Sequence, residues 1–585
     1  MMLEALVALA DRKKLLEDTS YGKRVVHYQF RISDDGRPLG LVRLGEEGKG
    51  LRLDTPAAPK KSVNIKSAFL VETAQYTLGF PKRIKGGEPE ERAVARAPKC
   101  LSAFASEVRS AVAATGDGGL TAVERFLGRL ESDHDGELGR ILSMDSDHQW
   151  TGDECIAFIR ESDGMAYVHD RPAVRAYWAG KRASASAGRA QRCLVTGRIA
   201  LAARLHDSVK RVPGAQSSGA SLVSFNAPAF ESQHFEQGDN APFSQRAADG
   251  YVRALNWLLE KDGDRRFRSG IPVGDDSVIV FWTREDNETT DVLLSLFAPP
   301  AGDEEQLRAT FDAAWKGLEP RDIDATPFYA LTLGGNAARV VVRDWLDTTA
   351  AEVKANVRLY FADLALVGDD LPLSIGRLLR SLQANPAASG DKRGLSSALS
   401  TRLLNAALRG APFPRELLHA ALTRLRVPPR DAEWRGTLRA RVALIKATLL
   451  RLHPGKEIGM SLDETSSAVP YLLGRLFAAM EKLQGDALGD VNASLRDRYF
   501  GSASSTPALV FPRLLRVSAH HASKAESERR GWAERVKAQI VERLPARAFP
   551  RTLDLEAQGL FAVGYYHQRQ AFYTPRKADD ESVTT

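Results

Sequence analysis

The chain has 585 residues, too many for a single hydrophobic core, so it should divide into several domains. With 43% hydrophobic and 26% charged residues its composition is that of a soluble globular protein, and a formal charge of +7 makes polyanions plausible partners only where the excess is clustered. The three cysteines, Cys100, Cys155 and Cys193, lack CxxC spacing, which argues against a disulfide framework and a zinc site and fits a reducing cytoplasm.

The opening MMLEALVALADRKK is too short and polar for a membrane span or signal core and predicts a short amphipathic helix. Tyr21 to Leu53 alternates in VVHYQFRI and LVRL around the turn signals SDDGRP and GEEGKG, which predicts strands. A basic patch follows from Pro59 to Lys85, holding Lys60, Lys61, Lys66, Lys82, Arg83 and Lys85 against the single acid Glu72, with Asn64, Gln75 and Tyr76 among the cations. Lysines neutralise phosphates and amides read base edges, so this is the composition of a duplex-binding surface; a solvated basic face has the same composition. Val94 to Leu142 reads as helical, with LTAVERFLGRL apolar at i, i+3, i+4 and i+7. In the SDHDGE turn, His134 and Asp135 are the pair a metal-dependent phosphohydrolase would use, without the further ligands that chemistry needs.

The stretch Gly214 to Ser232, GAQSSGASLVSFNAPAFES, forces the backbone to turn sharply on both sides of one short strand. Such a loop can offer successive N–H groups and hydroxyls to an anion, or simply form a tight corner. Gly214 and Gly219 have phosphate-loop spacing, but Ala220 and Ser221 stand where Lys and then Ser or Thr would be needed, which argues against an ATP site. His206, beside Asp207, reads as a structural or phosphate-contacting histidine. A helix is predicted over NAPFSQRAADGYVRALNWLLEK with a stripe through Ala247, Tyr251, Leu255 and Leu258, then a buried strand over Asp276 to Thr283 and a hairpin turning at Gly334 to Asn336.

From about Ala350 the strand signal fades into Leu- and Arg-rich helices. Arg424 to Arg451 carries eight basic residues against Asp431 and Glu433, read as a solvated helical face. After HPGKEIGM, which ends at Met460, Ser466 and Ser467 are candidate caps and Pro470 opens a helix with Leu472, Leu473, Leu476, Phe477, Met480 and Leu483 on one stripe. A later helix repeats Trp532, Val536, Ile540 and Leu544, and nine basic residues against four acidic ones between Arg513 and Arg547 predict a bundle with a basic face. The expected fold class is therefore α+β: a mixed α/β region with antiparallel strands over 1–350, a helical connection over 351–459, and a helical bundle over 460–585.

Five stretches, CLVTG at Cys193 to Gly197, GAQSSGASLVSFNAPAFES, YLLGRLFAAMEKLQ from Tyr471, DRYFGSASSTPALVFPRLL from Asp497 and GYYHQRQ from Gly564, resemble in collinear order the large subunit of the type I-C (Dvulg subtype) CRISPR Cascade surveillance complex. After AFL the resemblance leads one to expect Asp then Asn or a similar pair, where this chain has Val71, Glu72 and Thr73, which puts base reading there in doubt. The resemblance implies a non-catalytic, cytoplasmic, cofactor-free antiviral-defence subunit that recognises a protospacer-adjacent motif (PAM) in duplex DNA, promotes R-loop formation and helps recruit a separate helicase-nuclease. Its implied partners are crRNA, target double-stranded DNA, the Cascade backbone subunits, the crRNA-end-binding subunit and small subunits, with no membrane. Candidate DNA and PAM contacts are Lys60, Lys61, Asn64, Lys66, Lys82, Arg83, Gln216, Ser217, Ser218, Gly219 and Asn226. Candidates for a single-strand backbone are Arg513, Arg516, Lys524, Arg529, Arg530, Arg535 and Lys537. The resemblance also implies a small subunit made by internal initiation, for which Met460 is the candidate start. A metal-dependent nuclease or phosphohydrolase and a stand-alone nonspecific nucleic-acid-binding protein are the alternatives.

Overall fold

The computed structural model describes residues 1–18, 20–58, 65–84, 87–185, 190–231, 233–263, 265–299, 304–319, 321–367, 373–383, 397–427, 434–489, 494–524, 527–546 and 549–573. The chain forms two compact units, Met1–Ser208 with Val223–Leu255, and Val209–Leu222 with Asn256–Thr585. Antiparallel sheets in the N-terminal and middle parts give way to helices alone, as composition and periodicity predict.

In the first unit α1 (Met2–Arg12) buries Leu6, Val7, Leu9 and Ala10, the predicted amphipathic face. Strand β1 (Tyr21–Val26) pairs with β4 (Leu51–Pro56), while β2 (Tyr28–Ile32) lies between β3 (Pro38–Arg43) and β6 (Cys155–Arg160), with the two-residue β5 (Glu72–Thr73) outside β6. The β2–β6 pairing is parallel, so the chain must cross over between them. Helices α2 (Ala74–Thr77), α3 (Glu91–Thr115), α4 (Gly118–Ser132) and α5 (His134–Ser143) fall within that crossover. Phe30, Phe104, Phe126 and Phe158 meet there with almost no exposure, Phe30 and Phe126 edge to face at 5.1 Å. Beyond α6 (Pro172–Ala185), β7 (Ala190–Arg192) and β8 (Ile199–Leu201) make a small hairpin. Helix α7 (Gln245–Leu258) buries its predicted stripe, and His206 Nδ1 lies 2.8 Å from the Tyr251 hydroxyl, a structural contact.

The second unit is built on an antiparallel sheet in the order β12 (Arg339–Thr349), β11 (Pro327–Asn336), β10 (Ser277–Thr283), β9 (Gly270–Val273), with α8 (Thr289–Phe297) and α9 (Glu304–Gly317) between β10 and β11. Every residue of β10 is buried, as its apolar run predicts. The β11–β12 turn falls at Ala337 and Ala338, with Ala337 left-handed at φ 50°, rather than at Gly334 to Asn336. Gly334 and Gly335 lie inside β11. A β carbon on Gly335 would sit 2.1 Å from the Ala215 nitrogen, so close backbone approach, and not a turn, is what requires glycine there.

Among the described residues ten helices complete the unit: α10 (Ala350–Leu364), α11 (Ile375–Ser381), α12 (Ser397–Arg409), α13 (Arg415–Leu425), α14 (Trp434–Leu452), α15 (Val469–Leu488), α16 (Leu495–Ser505), α17 (Pro507–Lys524), α18 (Ser527–Glu542) and α19 (Leu555–Tyr573). Of the cations of Arg424 to Arg451, read as a solvated face, Arg426 is exposed but Arg439, Arg441, Lys446 and Arg451 on α14 are buried. Arg441 donates to the carbonyls of Ser381 and Arg424. Arg451 pairs with Asp363 at 2.7 Å and donates to the carbonyls of Ala406 and Ala411. These carbonyls lie at or near the C-terminal ends of α11, α12 and α13, where acceptors have no partner within their own helix and a guanidinium replaces water.

Helices α15 and α19 cross with backbone against backbone. A β carbon on Gly474 would lie 2.0 Å from the Phe561 carbonyl oxygen, and one on Gly564 would lie 2.2 Å from that of Tyr471. The predicted α15 stripe is buried, and burial continues round the helix through Gly474 and Arg475. Pro470 opens α15 as expected, but its cap residue is Ala468, not Ser466 or Ser467; Asp463 instead takes the N–H groups of Thr465 and Ser466 in a preceding turn. Because neither backbone can withdraw without opening the core, Gly474→Ala and Gly564→Ala are each expected to destabilise the chain by about 1–3 kcal/mol. Urea unfolding checks this, and an unchanged midpoint in both variants would mean that the crossing is looser than described.

Candidate nucleic-acid interface

In the first unit, Lys60, Lys61, Asn64 and Lys85 lie outside the described residues. Lys66 is exposed, and immediately beyond it the chain dives into the core: Ala68, Phe69, Leu70 and Val71 are buried, with Leu70 left-handed at φ 57°. The anchor is Glu72, fully buried, whose carboxylate accepts from the Ala68 and Thr73 N–H groups and from Arg24 at 2.9 Å. Arg24 also donates to the Val71 carbonyl. A buried carboxylate needs such compensation. Val71-Glu72-Thr73, where the resemblance departs, is therefore a structural knot. Gln75 and Tyr76, read from sequence as lying among the cations, are buried on α2 and do not face solvent with them.

Lys82 is half exposed and pairs with Asp153 at 2.6 Å. Arg83 donates to the Trp150 carbonyl at 3.0 Å, and its guanidinium lies 4.7 Å from the Phe80 ring centre, so its direction is set by two partners of different kinds. Asn226 is exposed, shortly before the turn at Pro228–Phe230. Sequence reasoning missed the outward face of α3, where Arg92, Arg96 and Lys99 are exposed at i, i+4 and i+7. The signal was that spacing, set in an alanine-rich stretch with no amide to single it out.

In the second unit, Val209 to Leu222 is zipped onto the β11–β12 hairpin. Val209 and Ala220 exchange backbone hydrogen bonds at 2.8 and 2.9 Å and close the loop. The Gly335 N–H donates to the Pro213 carbonyl, Gln216 to Ala337, Ser221 to Ala338, and Val340 to Ser221. At the tip the Gly219 N–H donates to the Gln216 carbonyl while the Gln216 side-chain amide donates to the Gly219 carbonyl, both at 3.0 Å. Gly219 adopts φ 102°, which L side chains rarely occupy. Gln216 thus spends its amide N–H on bracing the turn. Ser217 and Ser218 are exposed at the tip, and among the described residues no backbone carbonyl takes their N–H groups.

In the C-terminal helices Arg513 and Arg516 are exposed one turn apart on α17, and Arg513 lies 5.7 Å from the Tyr499 ring. On α18 Arg535 is exposed, whereas Lys537 is mostly covered and pairs with Glu534 at 2.6 Å. Lys524 closes α17 and Arg529 and Arg530 fall in the first turn of α18; their side chains lie outside the described set. His134, the centre of the hydrolase alternative, donates from Nε2 to the Leu78 carbonyl at 3.0 Å and meets Asp135 at 3.4 Å. Among the described residues no three His, Cys, Asp or Glu side chains converge as a metal site. Cys100, Cys155 and Cys193 are free and buried. Among the described residues no helix is long and apolar enough to cross a membrane.

Two α+β units make up the described chain, one bearing a braced loop with an exposed serine tip and ending in helices with outward arginines. The chain belongs to the family described as CRISPR-associated protein (Cas_Csd1), which it matches over residues 4–573. It is thus a CRISPR-associated subunit of the Cascade kind, and all five stretches that carry the resemblance lie inside the matched span. No curated protein matches it.

The loop's order rests on one left-handed glycine. Gly219→Val is expected to unzip the tip, read as faster hydrogen exchange at the amides of Gln216 and Ser221 with little change in whole-chain melting. Unchanged exchange would show that the zipper holds without the glycine turn.

Proposed function

We propose that this chain is the non-catalytic large subunit of a crRNA-guided type I-C surveillance complex, which recognises the PAM in duplex DNA, promotes R-loop formation and helps recruit a helicase-nuclease. The observation that supports it most is the family match together with the exposed Ser217-Ser218 tip on a backbone-braced hairpin, where among the described residues no backbone carbonyl takes the two N–H groups. When guide RNA reads the sequence, the protein needs to contact only a short motif and phosphates, which rigid loops and outward cations can do.

In this reading Lys60, Lys61, Asn64, Lys66, Lys82 and Arg83 serve the duplex with Gln216 to Gly219 and Asn226, joined by Arg92, Arg96 and Lys99 of α3. Arg513, Arg516, Lys524, Arg529, Arg530, Arg535 and Lys537 follow a single-strand backbone. The functional division is 1–350 for DNA recognition, 351–459 as connection and 460–585 as a bundle of small-subunit type, with crRNA, target DNA and the other Cascade subunits as partners in the cytoplasm.

Charge reversal of Lys60 and Lys61 in the assembled complex tests the duplex surface. Each lost phosphate contact lowers the magnitude of the slope of log K against log salt by about 0.9. An unchanged slope would assign those lysines to a solvated face. Incubation with labelled DNA and Mn²⁺ or Mg²⁺ tests non-catalysis, and cleavage lost in His134→Ala would overturn it.

Met460 is proposed as an internal start. It is 54% exposed in a segment held by one hydrogen bond from the Val367 N–H to its carbonyl, just before the turn that leads into α15. The α15–α19 crossing would survive intact in the short product, whereas the face of α19 around Gly559, which rests on Leu418, Ile445 and Leu449, would need a new partner. Expression of the intact gene with a C-terminal tag should give a second band at about one fifth of the full mass, lost in Met460→Leu. Absence of that band from the native gene, or its persistence in the variant, would refute the start.

A further inference from the structure

The second unit holds a cavity of about 550 Å³, within the range of small-molecule sites, lined by Trp532 and Arg535 of α18, His567, Gln568 and Gln570 of α19, and Met460 with Glu464 before α15. Its walls differ in kind. Trp532 offers an indole held by Phe572, edge to face at 4.8 Å. Arg535 is exposed and forms no ion pair with a described residue.

His567 is only 3% exposed, and its hydrogen bonding is half complete. The Asp463 N–H donates to the Tyr471 hydroxyl at 3.0 Å, which leaves that hydroxyl to donate to His567 Nδ1 at 3.0 Å. Burial, aided by Lys446, lowers the His567 pKa to about 4, so the ring is neutral near pH 7. With Nδ1 accepting, the proton resides on Nε2, and Nε2 is buried without a partner. Neighbouring Gln568 spends its carbonyl on Arg475. A cavity with an aromatic wall and an outward cation suits a flat ring with a linked anion.

We propose that this cavity receives one unstacked base of single-stranded nucleic acid, its ring against Trp532 and the adjoining phosphate on Arg535. Every base has a π-face, so the site favours a base over no base more than one base over another. The proposal deepens the single-strand reading given above and rests on it.

The test uses the full chain and fluorescent single-stranded oligonucleotides of one length, either fully base-bearing or with consecutive abasic spacers. The base-bearing strand should bind at least about fivefold more tightly. Trp532→Leu should abolish that difference and leave abasic affinity unchanged, Trp532→Phe should restore most of it, and Arg535→Gln should weaken both strands. Equal binding of the two strands by the wild type would overturn the cavity assignment while leaving backbone binding intact. No binding of either strand would overturn the single-strand reading and the cavity assignment with it. Thermal melting of each variant keeps loss of fold separate, and a difference between strands that persists in a folded Trp532→Leu would also overturn the proposal.

Discussion

Two helix backbones in contact, α15 at Gly474 and α19 at Gly564, hold the C-terminal region in register. At that separation side chains flanking the glycines meet across the seam: Tyr471 reaches His567, Arg475 reaches Gln568, and Phe477 packs with Phe561 and Tyr565. Tyr565 in turn donates to Glu481 at 2.7 Å. A single extra methyl at either glycine would push against a carbonyl oxygen, and a backbone atom cannot rotate away as a side chain can. Two of the stretches that carry the family resemblance, YLLGRLFAAMEKLQ and GYYHQRQ, are the two sides of this seam. Their likeness therefore reports a packing constraint before it reports a function.

The same distinction runs through the loop that carries the candidate tip. Gly214 and Gly219 invite a phosphate-loop reading, yet each has a local geometric reason. Both have positive φ, and a β carbon on Gly214 would meet Asp276 and the Gly335 carbonyl. Among the described residues no backbone carbonyl takes the N–H groups of Ser217 and Ser218 at the tip. Where a motif is mostly scaffold, the residues that the scaffold does not need are the ones available to a ligand.

Much of the fold was legible because periodicity and burial are the same fact read twice. The stripe on α7, the unbroken apolar run of β10 and the face of α15 all followed from spacing. The failures share a cause as well. Whether the cations of Arg424 to Arg451 are solvated depends on carbonyls of Ser381, Ala406 and Ala411 and on Asp363, none adjacent in sequence, and no local pattern announces that these groups will converge. Glu72 looked like a lone acid diluting a basic patch, because its partner Arg24 lies 48 residues away on β1. The hairpin turn was misplaced because the glycines of β11 answer to a loop more than a hundred residues upstream. Of the candidate site, the loop tip and the helical arginines were legible as exposed polar positions, while the division between buried and outward cations was not.

That division changes what the net charge means. A formal +7 spread over the chain says little, since Arg441 and Arg451 are buried and spent on helix-end carbonyls, and Arg24, only partly exposed, is spent on a buried acid. Cations whose desolvation is already compensated by carbonyls stiffen the helical mass and contribute little field outside it, because each is matched by dipoles a few ångströms away. The charge a nucleic acid would meet sits on exposed cations, among them Arg92, Arg96 and Lys99 along α3, Arg513 and Arg516 on α17, and Arg535 on α18. Each of these sets lies on a helix whose opposite face is anchored in a core, so their spacing is fixed before any ligand arrives. Rigid spacing lets a few exposed cations serve as phosphate contacts without further loss of backbone freedom on binding.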